Sequence, residues 1–224
     1  MISSVRVIGT GRAGGAIAAR LAERGLPVSA GREATGDADL VLLAVPDGVI
    51  SEVATRIPIG PWVAHVSGAT PLSALEPHTR RFSVHPLQTL SRERGPEQLD
   101  GAWAAITSET DDAAAAATWL AEALGLRPFP LADADKPLYH AGAAMASNFL
   151  VTLYRAAARL MEQTDAPAEA LLPLMQRTID NGFVLTGPIA RGDWSTVEAH
   201  LRALEEQAPD LVPLYRALAE ATRP

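Results

Sequence analysis

Four places in the sequence carry residue types able to do chemistry. Gly9-Thr10-Gly11-Arg12-Ala13-Gly14 has the Gly-x-Gly-x-x-Gly spacing, Ser67 and His85 each close an apolar run, and His140 and Asn148 stand eight apart in an alanine-rich stretch. In a strand-turn-helix setting the first motif makes a cradle for a dinucleotide: Gly9 for the tight turn, Gly11 for approach of backbone to a diphosphate, Gly14 for close helix packing. Amides at the helix start and the positive end of its dipole then favour the phosphate charge. Without that setting, three glycines at this spacing mark an ordinary turn.

The setting is present. Val5, Val7 and Ile8 precede the loop as a β-branched run, and Ala13 to Glu23 follows as a helical pattern stopped by Gly25. Further strands are predicted in "LPVSAGRE", "ADLVLLAVPD", "WVAHVSG", "RFSVHP" and "AWAAIT", and a helix in "TDDAAAAATWLAEALG". Strands alternating with helices predict an α/β fold, an N-terminal doubly wound, mostly parallel Rossmann sheet. From Asp133 the alternation stops. One long helix from "DADKPLYH" to "ARLMEQ" and three more helices predict a smaller all-α domain, with domains of residues 1–131 and 132–224. "STVE" at Ser195–Glu198 has capping-box spacing and predicts a helix start.

Ligands of open sheets bind beyond the carboxyl ends of the strands. That rule gathers Val45, Pro46, Ser67 and His85 around one crevice, with Asp47 and Thr70 expected as helix caps. Ser67 suits a hydrogen bond to a substrate or to a nicotinamide amide, or is an inert strand-end serine. His85 suits proton transfer or a structural hydrogen bond. On one helix, His140 and Asn148 would share a face two turns apart with Ala144 between them, forming either a shelf for a small planar substrate or a polar contact between helices. After the second strand, Arg32 stands where the adenosine ribose is read and matches the extra phosphate of NADP. Glu33 is the competing reader, for NAD.

Composition narrows the classes. A net charge of -7 argues against nucleic acid and anionic membranes as partners, and the absence of cysteine excludes disulfides and thiolate chemistry; no metal site is expected. No apolar stretch is long enough to span a bilayer, and the first strand begins too early for a signal peptide, so a cytoplasmic location is expected. Lys136 is the single lysine against eighteen arginines.

By "VRVIGTGRAGGAIAARL", "ADLVLLAVPD", "HVSGATPLSAL", "FSVHPLQTL", "YHAGAAMASNFLVTLY" and "TGPIARGD", the whole chain resembles the Rossmann-like proteins with a C-terminal domain of unknown function, number 2520. These are similar to the 6-phosphogluconate and 3-hydroxyisobutyrate dehydrogenases and to deazaflavin-linked NADP oxidoreductases. The resemblance implies Gly9, Gly11, Arg12, Gly14 and Arg32 at the nucleotide, Ser67, His85, His140 and Asn148 near the reacting end, and a homodimer through the C-terminal helices. It implies an oxidoreductase acting on a small carbonyl, hydroxy-acid or imine substrate, with a non-catalytic nucleotide-binding module or a deazaflavin-linked exchange as alternatives. The hydroxyacid dehydrogenases place a lysine four residues before the helix asparagine; here that place is Ala144. Arg191 in "GPIARGD" is a candidate for a substrate carboxylate or for the dimer contact.

Overall fold

The computed structural model describes residues 2–32 and 37–223. It divides into two compact units, Met1–Ala144 and Met145–Pro224, later in the chain than the expected cut after residue 131. The difference arises because residues 133–140 bond to the sheet unit. Asp133 and Lys136 reach Leu72 and Thr70, and Tyr139 reaches His85.

The first unit is built on a seven-stranded sheet: β1 (Val5–Ile8), β2 (Val28–Gly31), β3 (Leu40–Leu43), β4 (Trp62–His65), β5 (Arg81–Pro86), β6 (Trp103–Ser108) and β7 (Arg127–Pro130), in the order β2-β1-β3-β4-β5-β6-β7. The first five strands pair in parallel, with β1 between β2 and β3, so the strand order reverses at the carboxyl ends of β1 and β3. All four residues of β3 are buried, as a strand covered on both faces requires. Leu40 and Leu42 join the cluster that Ile17 and Leu21 of α1 (Arg12–Glu23) and Leu120 of α3 (Asp111–Ala123) complete. Val41 and Leu43 face the other way, onto Ile50 of α2 (Ile50–Ala54) and onto Leu72 and Leu75 of a 3₁₀ turn. Each such fully buried leucine contributes about 2 kcal/mol. The doubly wound architecture is thus as expected.

Two strands depart from expectation. β6 runs antiparallel to β5, because the chain between them makes no helical crossover and returns from the edge where β5 ends. β7, Arg-Pro-Phe-Pro, has too many prolines to read as a strand, yet it pairs with β6 alone at the end of the sheet, where missing amide donors cost nothing.

The expected long helix is two, α4 (Lys136–Ala146) and α5 (Asn148–Glu162). They part at Ser147 (φ −118°, ψ −67°), whose hydroxyl turns to the Asn148 side chain at 3.3 Å; serine and asparagine side chains compete in this way for the backbone's bonding partners. The second unit continues with α6 (Leu171–Asp180), α7 (Trp194–Gln207) and α8 (Val212–Ala221). Asp193, not Ser195, caps α7, accepting the Thr196 amide hydrogen, and the Asp193 carboxylate also takes the Ser195 and Thr196 hydroxyls, so the capping-box reading is set aside. Among the buried residues of this unit are Val197, Leu204 and Ala208, while α5 and α6 bury none of theirs. No helix among the described residues is long and apolar enough to cross a membrane.

Candidate functional site

The glycine loop lies at the reversal of strand order. Gly9 leaves β1 with φ +109°, its amide bonded to Gly31 carbonyl oxygen at 2.8 Å. A Cβ there would stand 2.2 Å from the Ala44 carbonyl oxygen and 3.3 Å from Val45, which places the Val45-Pro46 segment against the loop. A Cβ on Gly14 would fall 1.9 Å from the Gly9 carbonyl oxygen, so the third glycine seats the helix on the loop itself. Gly11 differs. Its backbone is extended (φ −69°, ψ −166°) and a Cβ would meet no described atom within 4 Å. Neither the backbone conformation nor packing against described residues asks for glycine at 11, and the backbone there is open to approach from outside.

Gly11 is also the cap of α1 and brings no side chain to the first turn, where no acidic residue stands either. The opening amides of the helix and its dipole are therefore offered to an anion. Arg12, the first residue of α1, is exposed, as are Thr10 and Arg32, the latter directly after β2; Ala13 is half-buried. Glu33, the other candidate at the ribose, lies outside the described residues. These groups fit a dinucleotide: an open glycine backbone, uncapped amides and two guanidiniums, with no carboxylate among the described residues of the loop.

The other half of the site stands on β4, β5 and α4. His85 is half-buried, in register with Ala105 of β6 and Phe129 of β7, and Tyr139 lies over this row with its ring centroid 5.6 Å from His85 and 6.0 Å from Phe129. The small Ala105 leaves room between the two rings. The Tyr139 hydroxyl and His85 Nδ1 are 2.7 Å apart, and His140 adds an edge contact at 6.2 Å. On another side the His85 ring lies against Gly68, where a Cβ would come within 2.7 Å of ring carbon Cε1. Burial, with the neighbouring His140 second, lowers His85 to about 4, and burial pushes Tyr139 up to about 12. At neutral pH both are uncharged; in the tautomer with the imidazole proton on Nε2 the phenol donates to Nδ1, and in the other Nδ1 donates to the phenol oxygen.

Ser67 serves the end of its own strand, the second of the two places expected for it. Its hydroxyl donates to Thr70 Oγ1 at 2.9 Å and accepts the amides of Ala69 and Thr70, so it closes a turn. The Ser67 amide in turn donates to His65 Nδ1 at 3.2 Å. His65 is fully buried, and burial foremost, then the Lys136 cation, lowers it to about 3. Thr70 does not cap the following turn; the Asp133 carboxylate takes the Leu72 amide instead, from sixty-one residues along the chain. Asp47 also makes no cap, because the chain enters a 3₁₀ turn from Pro46 with no side-chain bond. His140 belongs to the first unit and Asn148 to the second, so the shared helix face expected for them does not exist across Ser147. Among the described residues no group of histidines and carboxylates has the arrangement of a metal site.

Tyr139, Gly68 and Asp133 carry more of this geometry than their local sequence signals. Gly68 is explained only by a ring on another strand. Asp133 and Lys136 have the three-residue spacing of a helical ion pair, a signal the sequence does contain.

A model of a domain of unknown function, DUF2520, matches residues 102–222, over half of the chain. The chain belongs to the DUF2520 family. A Rossmann-like domain model matches residues 6–89, which span the glycine loop and His85. No curated protein matches the DUF2520 chain. Among solved structures it is similar to BF3122 of Bacteroides fragilis, provisionally named an NADP oxidoreductase, with 20% identity, TM-score 0.82 and coverage of 98% and 97% of the two chains. It is similar to TM1727 of Thermotoga maritima at 24% identity and TM-score 0.77, covering 97% and 96%. A reductive aminase from Aspergillus terreus, in complex with NADPH and ethyl levulinate, matches at 16% identity and TM-score 0.68, over 99% and 93%. At these identities the likeness is one of fold.

Proposed function

We propose that this DUF2520 protein is an NADP-dependent oxidoreductase that moves hydride between the cofactor and a small carbonyl, hydroxy-acid or imine compound. The observation that carries the reading is Gly11, a glycine that nothing inside the chain requires, at the uncapped start of α1 and at the reversal of the sheet. The NADPH held by the similarly folded aminase supports the same cofactor here. Gly9 to Gly14 and Val45-Pro46 would hold the dinucleotide, Arg12 its diphosphate, and Arg32 the phosphate that distinguishes NADP from NAD. When bound, the nicotinamide supplies or accepts the hydride.

The residues of the chain then have the proton to manage. With its proton on Nε2, neutral His85 would hydrogen-bond a substrate oxygen; transfer of that proton would draw the Tyr139 proton onto Nδ1 and leave a phenolate that solvent must reprotonate. His140 borders the same ring and is assigned to substrate; Asn148, which opens α5 in the second unit, carries a separate substrate assignment. Ser67 closes the turn that holds Gly68. The large apolar residues exposed on the second unit, Phe149, Leu150 and Leu174 among them, are assigned to a homodimer contact.

A second reading, a nucleotide-binding module without turnover, draws on Lys136. The single lysine is buried and paired with Asp133, so no lysine is offered to a substrate. Calorimetric titration with NADPH and NADH, followed by absorbance assays across oxoacids, aldehydes and cyclic imines, separates the two. Tight NADPH binding with turnover supports the enzyme, tight binding alone the module, and no heat with either nucleotide overturns both. A gain on adding a deazaflavin would favour electron exchange. Arg32→Ala weakens NADPH more than NADH; an unchanged preference removes its assignment.

A further inference from the structure

Proton transfer by His85 and Tyr139 leaves one buried group without a task. Lys136 is 2% exposed. An ammonium withdrawn this far from water is costly, and breaking its pairing is costlier still, whereas a methionine of similar volume would fill the same space without that cost. The charge is nonetheless there, and it is fully engaged. Nζ donates to the Thr70 carbonyl at 2.7 Å and lies 2.9 Å from Asp133 Oδ1. The two Asp133 carboxylate oxygens accept the Leu72 amide at 3.1 and 3.0 Å.

The start of α4 and the turn before it thus hold Thr70 and Leu72 at once. Thr70 belongs to the turn that Ser67 closes, and Gly68 within that turn is the surface against which the His85 ring lies. Three residues after Lys136, one turn along α4, Tyr139 meets His85 from another side. The same clamp therefore sets two walls of one imidazole.

We propose that Lys136 is a positioning residue for the proton-transferring pair: its buried ammonium, shared between Thr70 and Asp133, fixes α4 on the β4 turn and so places the Tyr139 hydroxyl on His85. The electrostatics act in the same direction. His140, Tyr139, Asp47 and Lys136 face His85 from their several elements, and Lys136, Asp133 and His85 face His65. Asp47 favours the charged form of His85, while Lys136 and His140 oppose it; Lys136 likewise opposes protonation of His65. Both rings are kept neutral, as an imidazole that donates from Nε2 must be. The proposal rests on the reading of His85 and Tyr139 as the proton pair, but its geometry is measurable in the absence of nucleotide.

The test is nitrogen NMR of the histidine rings in the full chain, with Lys136→Met, Lys136→Arg and Asp133→Asn beside the wild type. In the wild type His85 holds a single Nε2–H tautomer. Lys136→Met raises the His85 titration midpoint and mixes its tautomers, and Lys136→Arg, which keeps the charge, returns both toward the wild type. A His85 with unchanged midpoint and tautomer in Lys136→Met, alongside a lowered melting temperature, makes the lysine merely structural and overturns the proposal. Should Lys136→Met fail to fold, Asp133→Asn removes the carboxylate charge paired with Lys136 and reads the same signals, with an undisturbed His85 again the overturning result. These spectra need neither cofactor nor turnover. Failure of the nucleotide titration in the wild type therefore counts against the proposed activity and leaves the clamp to be judged separately.

Discussion

The two units solve opposite problems. In the first, buried polar side chains find partners inside the unit, Asp133 on Leu72, Lys136 on Thr70 and Ser67 on its own turn, although Arg20 Nε, His65 Nε2 and Thr107 Oγ1 are buried without one. β3 is sealed on both faces. In the second, α5 and α6 bury none of their residues, and Phe183, Val184 and Leu185 stand in a row at 71%, 66% and 54% exposure. On the proposed dimer reading, such an exposed apolar row in the second unit is where a second copy would sit. Stability should follow the first unit and assembly the second.

The sharpest way to break this contrast is within the glycine loop. Gly14→Ala pushes a Cβ onto the Gly9 carbonyl oxygen and is expected to cost about 3 kcal/mol in urea unfolding. Gly11→Ala meets nothing and is expected to stay within ~0.5 kcal/mol of the wild type, while NADPH affinity by calorimetry falls roughly tenfold. Equal destabilisation by both would void the distinction between internal and external demand.

Next comes acid. His65, lowered to about 3 from an ordinary 6.5, is neutral in the fold and takes a proton first in the unfolded chain. Its contribution is whole above pH 6.5 and drains away as pH falls toward 3, the loss reaching about 3 kcal/mol at pH 4. His85 adds a loss of the same sign. His65→Asn should flatten the stability curve across that window, and an unaltered slope would place the acid sensitivity elsewhere.

On the second unit, Leu174→Glu paired with Phe149→Glu should leave monomer unfolding within about 1 kcal/mol of the wild type, yet shift sedimentation from dimer to monomer. A large loss of stability with no change in assembly would reverse the contrast between units. The smallest effect lies at Asp39, whose carboxylate accepts amides and hydroxyls from Ser3 and Ser4 and is held down to about 2 from 3.8. Its contribution stands above pH 3.8 and is lost as pH falls through 2, so Asp39→Asn should change the melting temperature slightly at pH 5 and not at all near pH 1.5.

The glycine loop, the buried β3 run, the strand-end positions of Ser67 and His85 and the helical character of the later chain were legible because each depends on neighbours in the chain. The antiparallel turn of β6, the proline-bearing β7, the break at Ser147 and the cap on Leu72 were not. Each is decided by a partner far along the chain or by competition between two bonding options of similar worth. The candidate site divides the same way: the phosphate end is written in one hexapeptide, whereas the Tyr139, His85 and Gly68 contact needs three separate segments brought together.

Gly11 has a consequence for reading other sequences of this shape. Positions 9 and 14 are policed by folding and will persist in any descendant that still forms the sheet. Position 11 is free of that constraint, and on the proposed function only a bound nucleotide would hold it. On that reading, a relative that keeps the outer two glycines and has let the middle one drift to a bulky residue would still fold while binding its nucleotide less well.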